Sequence, residues 1–174
     1  MDAASRDGED AASCTATSES DLPGARMEID TSVCVFTLAQ ARAGISIGYE
    51  VVIDESIPDV TPRAQDAGNC DQPDGSGLIP FELLAGGGQR YCICDVGLCR
   101  AMPTATTLVA GRFHHTFMWD GTNWTGPSDT GNPPGPPFPA GSYTLSVSAV
   151  GTWIVGGGTT PFRVLGTMGI TLVP

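Results

Sequence analysis

The sequence predicts an all-β sandwich of about 8–9 antiparallel strands joined by long loops. Three observations predict it. Gly contributes 23 residues and Pro 14 to a chain of 174, about a fifth of the whole against a usual ~12%, which suits many turns and few long helices. Apolar residues recur with period 2 in several short runs, as half-buried strands require. Helical spacing of apolar residues is weak everywhere, its best instance being Phe36 to Ala43.

The elements follow in order. Residues 1–24 are acidic, rich in small residues and poor in apolar ones, so they are expected as a disordered tether, pinned at most by Cys14. Residues 25–174 are expected as one folded domain. Met27 to Ile29 and Cys34 to Leu38 are short strand candidates. Ile45 to Ile53 is the clearest early strand, with Ile45, Ile47, Tyr49, Val51 and Ile53 on one face and Ser46, Gly48 and Glu50 on the other. Asp54 to Gly77 carries three Pro among scattered Asp and reads as a loop. Ile79 to Leu84 and Arg90 to Asp95 flank a Gly run and read as a hairpin, since Gly accepts the positive φ of a tight turn. Val96 to Pro103 is a Cys-containing loop, and Thr106 to Val109 a short strand.

In the next strand, Phe113 to Trp119, Phe113, His115, Phe117 and Trp119 share one face and His114, Thr116 and Met118 the other. Gly121 to Ala140 is a loop with six Pro and four Gly. Tyr143 to Ala149 alternates with Tyr143, Leu145, Val147 and Ala149 inward. Thr152 to Val155 and Phe162 to Val173 close the fold as two further strands. Tyr49, Phe117, Trp119 and Tyr143 are the expected structural core.

From Leu108 to Val147 the chain reads Leu-x-Ala-Gly-x5-Phe-x-Trp-Asp-Gly, then a loop, then Pro-Ala-Gly-x-Tyr-x-Leu-x-Val. This pattern resembles a recurrent bacterial immunoglobulin-like module, of the kind found in the flagellar hook-capping protein and in the intracellular proteinase-inhibitor (BsuPI-like) family. The resemblance extends loosely back to Ile45–Ile53, which here continues into Asp54 where such modules frequently carry Asn. It implies an immunoglobulin-like sandwich in which Trp119, the Asp120-Gly121 turn, Pro139-Ala140-Gly141 and Tyr143 are scaffold.

Charge narrows the partners. The net charge is −11, and all eight basic residues are Arg. An acidic chain without a basic patch argues against nucleic acid and against anionic membrane surfaces. No stretch reaches the ~18 apolar residues of a transmembrane helix. Six Cys point to as many as three disulfides and an oxidising compartment. No signal peptide follows Met1, so the chain is expected to be a mature or trimmed form. Its Asp/Ser/Ala-rich start suits the linker behind a lipidated Cys. The expected location is secreted, periplasmic or on an outer surface as a lipoprotein.

The groups able to carry chemistry are few. Cys92, Cys94 and Cys99 form the tightest Cys cluster, and their spacing is not that of a zinc knuckle. One arrangement among fifteen pairs Cys14 with Cys34, Cys70 with Cys92 and Cys94 with Cys99. His114 and His115 are the only histidines. Copper sites on sandwiches use His with Cys or Met, but adjacent strand residues face opposite ways. Asp71 and Asp74 lie in an oxygen-rich loop whose spacing departs from a calcium loop. Asn123 and Trp124 sit in a long loop where ligand contacts tend to collect. Trp124 has two open roles there: stacking on a sugar ring or partner chain, or folding back under its own loop. No G-x-S-x-G elbow or H-E-x-x-H motif is present.

These features together predict a non-enzymatic binding or structural module, without a resident cofactor, that presents its loops to a protein or glycan at a bacterial cell surface. Two other functions compete with it. The resemblance implies a proteinase inhibitor of BsuPI-like type, an exposed loop occupying a protease cleft. The Cys and His residues offer a copper- or zinc-binding protein, and the Asp-rich loops offer calcium.

Overall fold

The structure, a computed structural model, describes residues 13–65, 73–92, 104–124 and 133–174. Within them the chain forms β1 (Ala16–Ser20), β2 (Ala25–Ile29), β3 (Val35–Thr37), α1 (Leu38–Ala43), β4 (Ile45–Ile53), β5 (Ile57–Arg63), β6 (Phe81–Gly86), β7 (Gln89–Tyr91), β8 (Thr106–Leu108), β9 (Gly111–Trp119), β10 (Gly141–Val155) and β11 (Gly158–Val173). The fold is all-β, with strands in two sheets. An eight-stranded sheet has the order β1-β11-β10-β5-β8, with β3 also on β11, β6 on β10 and β7 on β6; a three-stranded sheet has the order β2-β4-β9.

Alternation supplies the core. Met27, Tyr49, Val51, Phe117 and Trp119 of the small sheet and Tyr143, Leu145, Val147, Val164, Met168 and Ile170 of the large one are all buried. Burial of these faces against each other is the main stabilising contribution. The four aromatic residues expected in the core are there: Tyr49 is 4%, Phe117 1%, Trp119 2% and Tyr143 5% exposed. The Tyr143 hydroxyl donates to the carbonyl of Pro139 at 2.6 Å, so the ring is buried without an orphaned polar atom. Burial holds the Tyr143 phenol above its ordinary range.

Five expectations change. The tether expected over 1–24 already contains β1, which pairs antiparallel with β11 from Ala16↔Met168 to Ser20↔Val164, and Leu22 is wholly buried. Its low overall hydrophobicity hid a strand whose one job is to cover an edge. Cys14 contributes by its disulfide to Cys34, which closes a 20-residue separation and ties β1 to the segment entering β3. The strands number eleven among the described residues rather than eight or nine, and β3 runs parallel to β11.

The polar loop expected over Asp54–Gly77 contains β5. Two Pro disguised it, and so did a bulge: Asp59 has φ +56° and the register shifts between Ile57 and Val60. The extra residue moves the buried positions from Ile57 to Val60 and Pro62, which destroys the period-2 signal. Thr152–Val155 is no separate strand but the end of β10, continuous over 15 residues. Gly151 makes this continuity possible, because a Cβ there would come 2.4 Å from the carbonyl oxygen of Thr61 on β5.

The weak helical signal is a real short helix. Thr37 caps α1 by accepting from the Gln40 N–H at 3.1 Å, while the Gln40 side chain accepts from the Thr37 N–H at 2.8 Å. The expected β6–β7 hairpin turns on Gly87-Gly88, with φ +54° and +78°. A positive φ at both central positions is the demand of the tight turn that matches strand twist.

Candidate functional site

Three groups of polar side chains stand out, and each is built by strand alternation. The first lies on the outward face of the small sheet. There Glu28 of β2 is directly opposite Glu50 of β4, and Glu50 is opposite His114 of β9. Two carboxylates facing each other repel, and arginine resolves the conflict. Arg112 reaches both Glu28 and Glu50, its Nε donating to Glu50 at 2.6 Å. Arg26 donates to Glu28 at 2.7 Å and to Asp54 at 2.6 Å. His114 Nδ1 lies 2.8 Å from Glu50. Hydrogen bonds from Arg26, and then Arg112, hold the Glu28 carboxyl below its usual range. The Arg26 guanidinium is raised in turn, chiefly by Asp54, and that of Arg112 chiefly by Glu28. Gly48 adds no side chain between them, and a trough of about 370 Å³ opens, lined by Glu28, Asp30, Glu50, Arg112 and His114 among others.

This network was not visible in the sequence. Its members come from three strands far apart along the chain, and only the register of β2 on β4 on β9 brings them together.

The second group lies on the inward flank of β9. His115 stacks on Tyr49, ring centroids 5.0 Å apart and 15° from parallel. Its Nε2 is 2.8 Å from Asp74 Oδ2. Asp74 Oδ1 accepts from the Ser76 N–H at 2.7 Å and from the Ser76 hydroxyl. The Ser76 oxygen itself accepts from the Leu78 N–H at 3.1 Å. Burial, then Glu82, pushes the Tyr49 phenol far above its ordinary range.

This arrangement braces a loop. Ser76 is wholly buried, and its hydroxyl donates to Asp74 rather than to the imidazole. The metal candidates separate likewise. His114 and His115 point to opposite faces, both oxygens of Asp74 are engaged, and Asp71 lies outside the described residues. Among the described residues no three His, Cys, Asp or Glu side chains converge as a ligand set.

The third group joins the loop after β9 to the β6–β7 hairpin. Trp124 forms a parallel bridge with Tyr91: the Trp124 N–H donates to the Arg90 carbonyl at 3.0 Å, and the Cys92 N–H to the Trp124 carbonyl at 3.2 Å. The side chain of Asn123 is a latch. Its Oδ1 accepts from the Arg90 N–H at 3.0 Å, and its Nδ2 donates to Gln89 at 2.5 Å and to the Pro136 carbonyl at 2.8 Å. The hydrogen-bonding capacity of this amide is thus spent within the protein. Trp124 is half-buried, and its indole nitrogen is sealed without a hydrogen-bond partner. Of its two open roles, the described geometry favours folding back against the hairpin.

Of the six cysteines, Cys14 and Cys34 pair as expected. Cys92 is also disulfide-bonded; Cys70, Cys94 and Cys99 lie outside the described residues. Cys14, Cys34 and Cys92 therefore offer no thiolate to a metal. No helix among the described residues is long and apolar enough to cross a membrane. Compared with protein-family models, curated proteins and solved structures, the chain matches none.

Proposed function

We propose that this chain is an extracytoplasmic binding or structural module of a bacterial cell surface, secreted or lipid-anchored, that holds a protein or glycan partner against a disulfide-stiffened sandwich. The observation that carries the proposal is the oxidation of Cys14, Cys34 and Cys92, with no free cysteine among the described residues. Disulfides persist in oxidising compartments. The parallel bridge of Tyr91 and Trp124 adds support. It sets two chain segments side by side at one place, anchored by the oxidised Cys92. Stiff scaffolds that fix their connecting segments in this way lower the ordering cost of binding.

The test has two parts. Thiol titration of the denatured protein, purified from its native source, should find no free thiol at Cys14, Cys34 and Cys92. Fluorescently labelled protein should be retained on intact bacterial envelopes and displaced by excess unlabelled protein. Free thiols at these three positions in the native material would remove the oxidising location. Failure of the label to be retained at micromolar concentration would remove the surface-binding role.

A further inference from the structure

Gly48 lies inside β4, the central strand of the small sheet, where glycine weakens a strand relative to alanine. The backbone does not ask for it, because its φ is not positive. No bulge asks for it either, since it pairs with Thr116 of β9 without a break in register. Packing does not ask for it: among the described residues, a Cβ there would meet only the Cβ of Asp30, at 3.8 Å, an ordinary contact. A strand glycine that serves neither a bulge nor a neighbouring backbone marks the close approach of a ligand.

What Gly48 keeps open is the trough of about 370 Å³ on the outward face. Asp30 stands beside it, its carboxylate fixed by the Ser32 N–H at 2.9 Å and the Ser32 hydroxyl at 3.1 Å. Glu28, Glu50 and His114 form the next cross-strand row on the same face. The trough faces solvent, for the side chains of Arg112 and His114 are 51% and 77% exposed.

The chemistry of the lining suits hydroxyl groups. Glu28, Asp30 and Glu50 outnumber Arg112 there, and the whole chain carries −11, so an anion is repelled. A cation would have to share Glu28 and Glu50 with the arginines that already hold them. A hydroxyl carries no charge and both donates and accepts. Each carboxylate oxygen has a second lone pair to offer it, and a guanidinium has more N–H donors than Arg112 spends through Nε and Nη2. The ion pairs hold these groups in place before a ligand arrives, which lowers the ordering cost of binding.

We infer that the Gly48 trough binds an uncharged sugar residue of an envelope glycan, with neighbouring hydroxyls of the ring bridging the Glu50 carboxylate and the Arg112 guanidinium. Its volume is at the small end for ligand pockets, the scale of a sugar residue. The inference rests on the proposed surface-binding role and, within it, selects glycan over protein.

The test uses the full chain, fluorescently labelled, on intact bacterial envelopes. Retention of the wild type should survive proteinase digestion of the envelopes and be lost after periodate, which cleaves vicinal diols. The glycan fraction released from digested envelopes should compete in solution. Gly48→Leu fills the trough at a position whose backbone accepts a side chain. It should keep the wild-type far-ultraviolet spectrum and lose retention by about tenfold or more. Gly48→Ala should fall between the two, and it decides should the leucine variant misfold. Wild-type retention matched by a folded Gly48→Leu chain, or by Gly48→Ala where the leucine chain misfolds, overturns the trough and leaves the surface role standing. Retention that proteinase abolishes and periodate spares overturns the sugar assignment in favour of a protein partner. No retention of the wild type removes the surface role and this inference together.

Discussion

The indole of Trp119 meets the ring of Phe138 at 4.7 Å and 64°, and its Nε1 donates to the Thr122 carbonyl at 2.9 Å. One residue is the last of β9; the other belongs to the Pro-rich loop. Phe138 in turn lies 4.9 Å from Tyr143 at the start of β10. The three rings therefore link the small sheet, the loop and the large sheet.

Trp119→Ala should cost about 3–5 kcal/mol, the usual range for emptying a large aromatic core site. Phe138→Ala should cost a comparable amount. The double variant should lose less than the sum, because each ring is the other's neighbour. Chemical denaturation of the three variants measures this; a cost near zero for Trp119→Ala would mean the residue is not held between the sheets.

The two indole nitrogens of Trp119 and Trp124 make a contrast. Trp119 has an acceptor, so Trp119→Phe should lose about 1 kcal/mol for the hydrogen bond in addition to packing. The Trp124 nitrogen is buried without a partner, so Trp124→Phe removes a desolvated donor and should be neutral or slightly stabilising. Thermal unfolding of both variants gives the comparison directly. A loss on Trp124→Phe equal to that on Trp119→Phe would show that the nitrogen finds an acceptor.

The Cys14–Cys34 disulfide closes a 20-residue separation, and removing it should cost about 3 kcal/mol on the chain-entropy account. In the Cys14→Ser/Cys34→Ser chain, amides of β1 should exchange faster than those of β10, since β1 is an edge strand held at its start by the bond. Uniform exchange in both strands would show that β1 is held by its pairing with β11 alone.

Alkaline pH should destabilise the fold through its tyrosines. Burial raises Tyr49, Tyr91 and Tyr143 above the ordinary phenol value of 10.0. An acid whose folded value is raised contributes fully below its unfolded value. The unfolded chain releases the proton above that value while the folded chain keeps it, so stability falls as pH climbs past about 10. Each such group adds a slope of up to about 1.4 kcal/mol per pH unit. Tyr49 is the most strongly shifted, so Tyr49→Phe should flatten the decline most, at the cost of about 1 kcal/mol at neutral pH for the lost hydroxyl. Urea unfolding between pH 8 and pH 11 checks both signs.

Strand faces could be read where alternation was unbroken. Ile45 to Ile53, Phe113 to Trp119 and Tyr143 to Ala149 turned the expected residues inward, because pleating assigns sides from local sequence alone. The reading failed where one residue broke the count, as at Asp59 in β5, and where a strand buried little, as in β1. Of the site, His115 on the inner face and His114 on the outer followed from the same alternation, and so did the pairing of Cys14 with Cys34 as one arrangement among several. The latch made by Asn123 was not legible, because a loop amide gives no sign of which carbonyls will claim it.

Local sequence thus carried the all-β class, the position of the main strands and the burial of Trp119 and Tyr143, since each depends on the period of the chain and on nearby turn residues. The charge network of Arg26, Glu28, Glu50, Arg112 and His114 and the bracing of His115 by Asp74 came only with the assembled sheets. Those features depend on register between strands distant along the chain, and register is set by how two whole faces fit, not by any single segment.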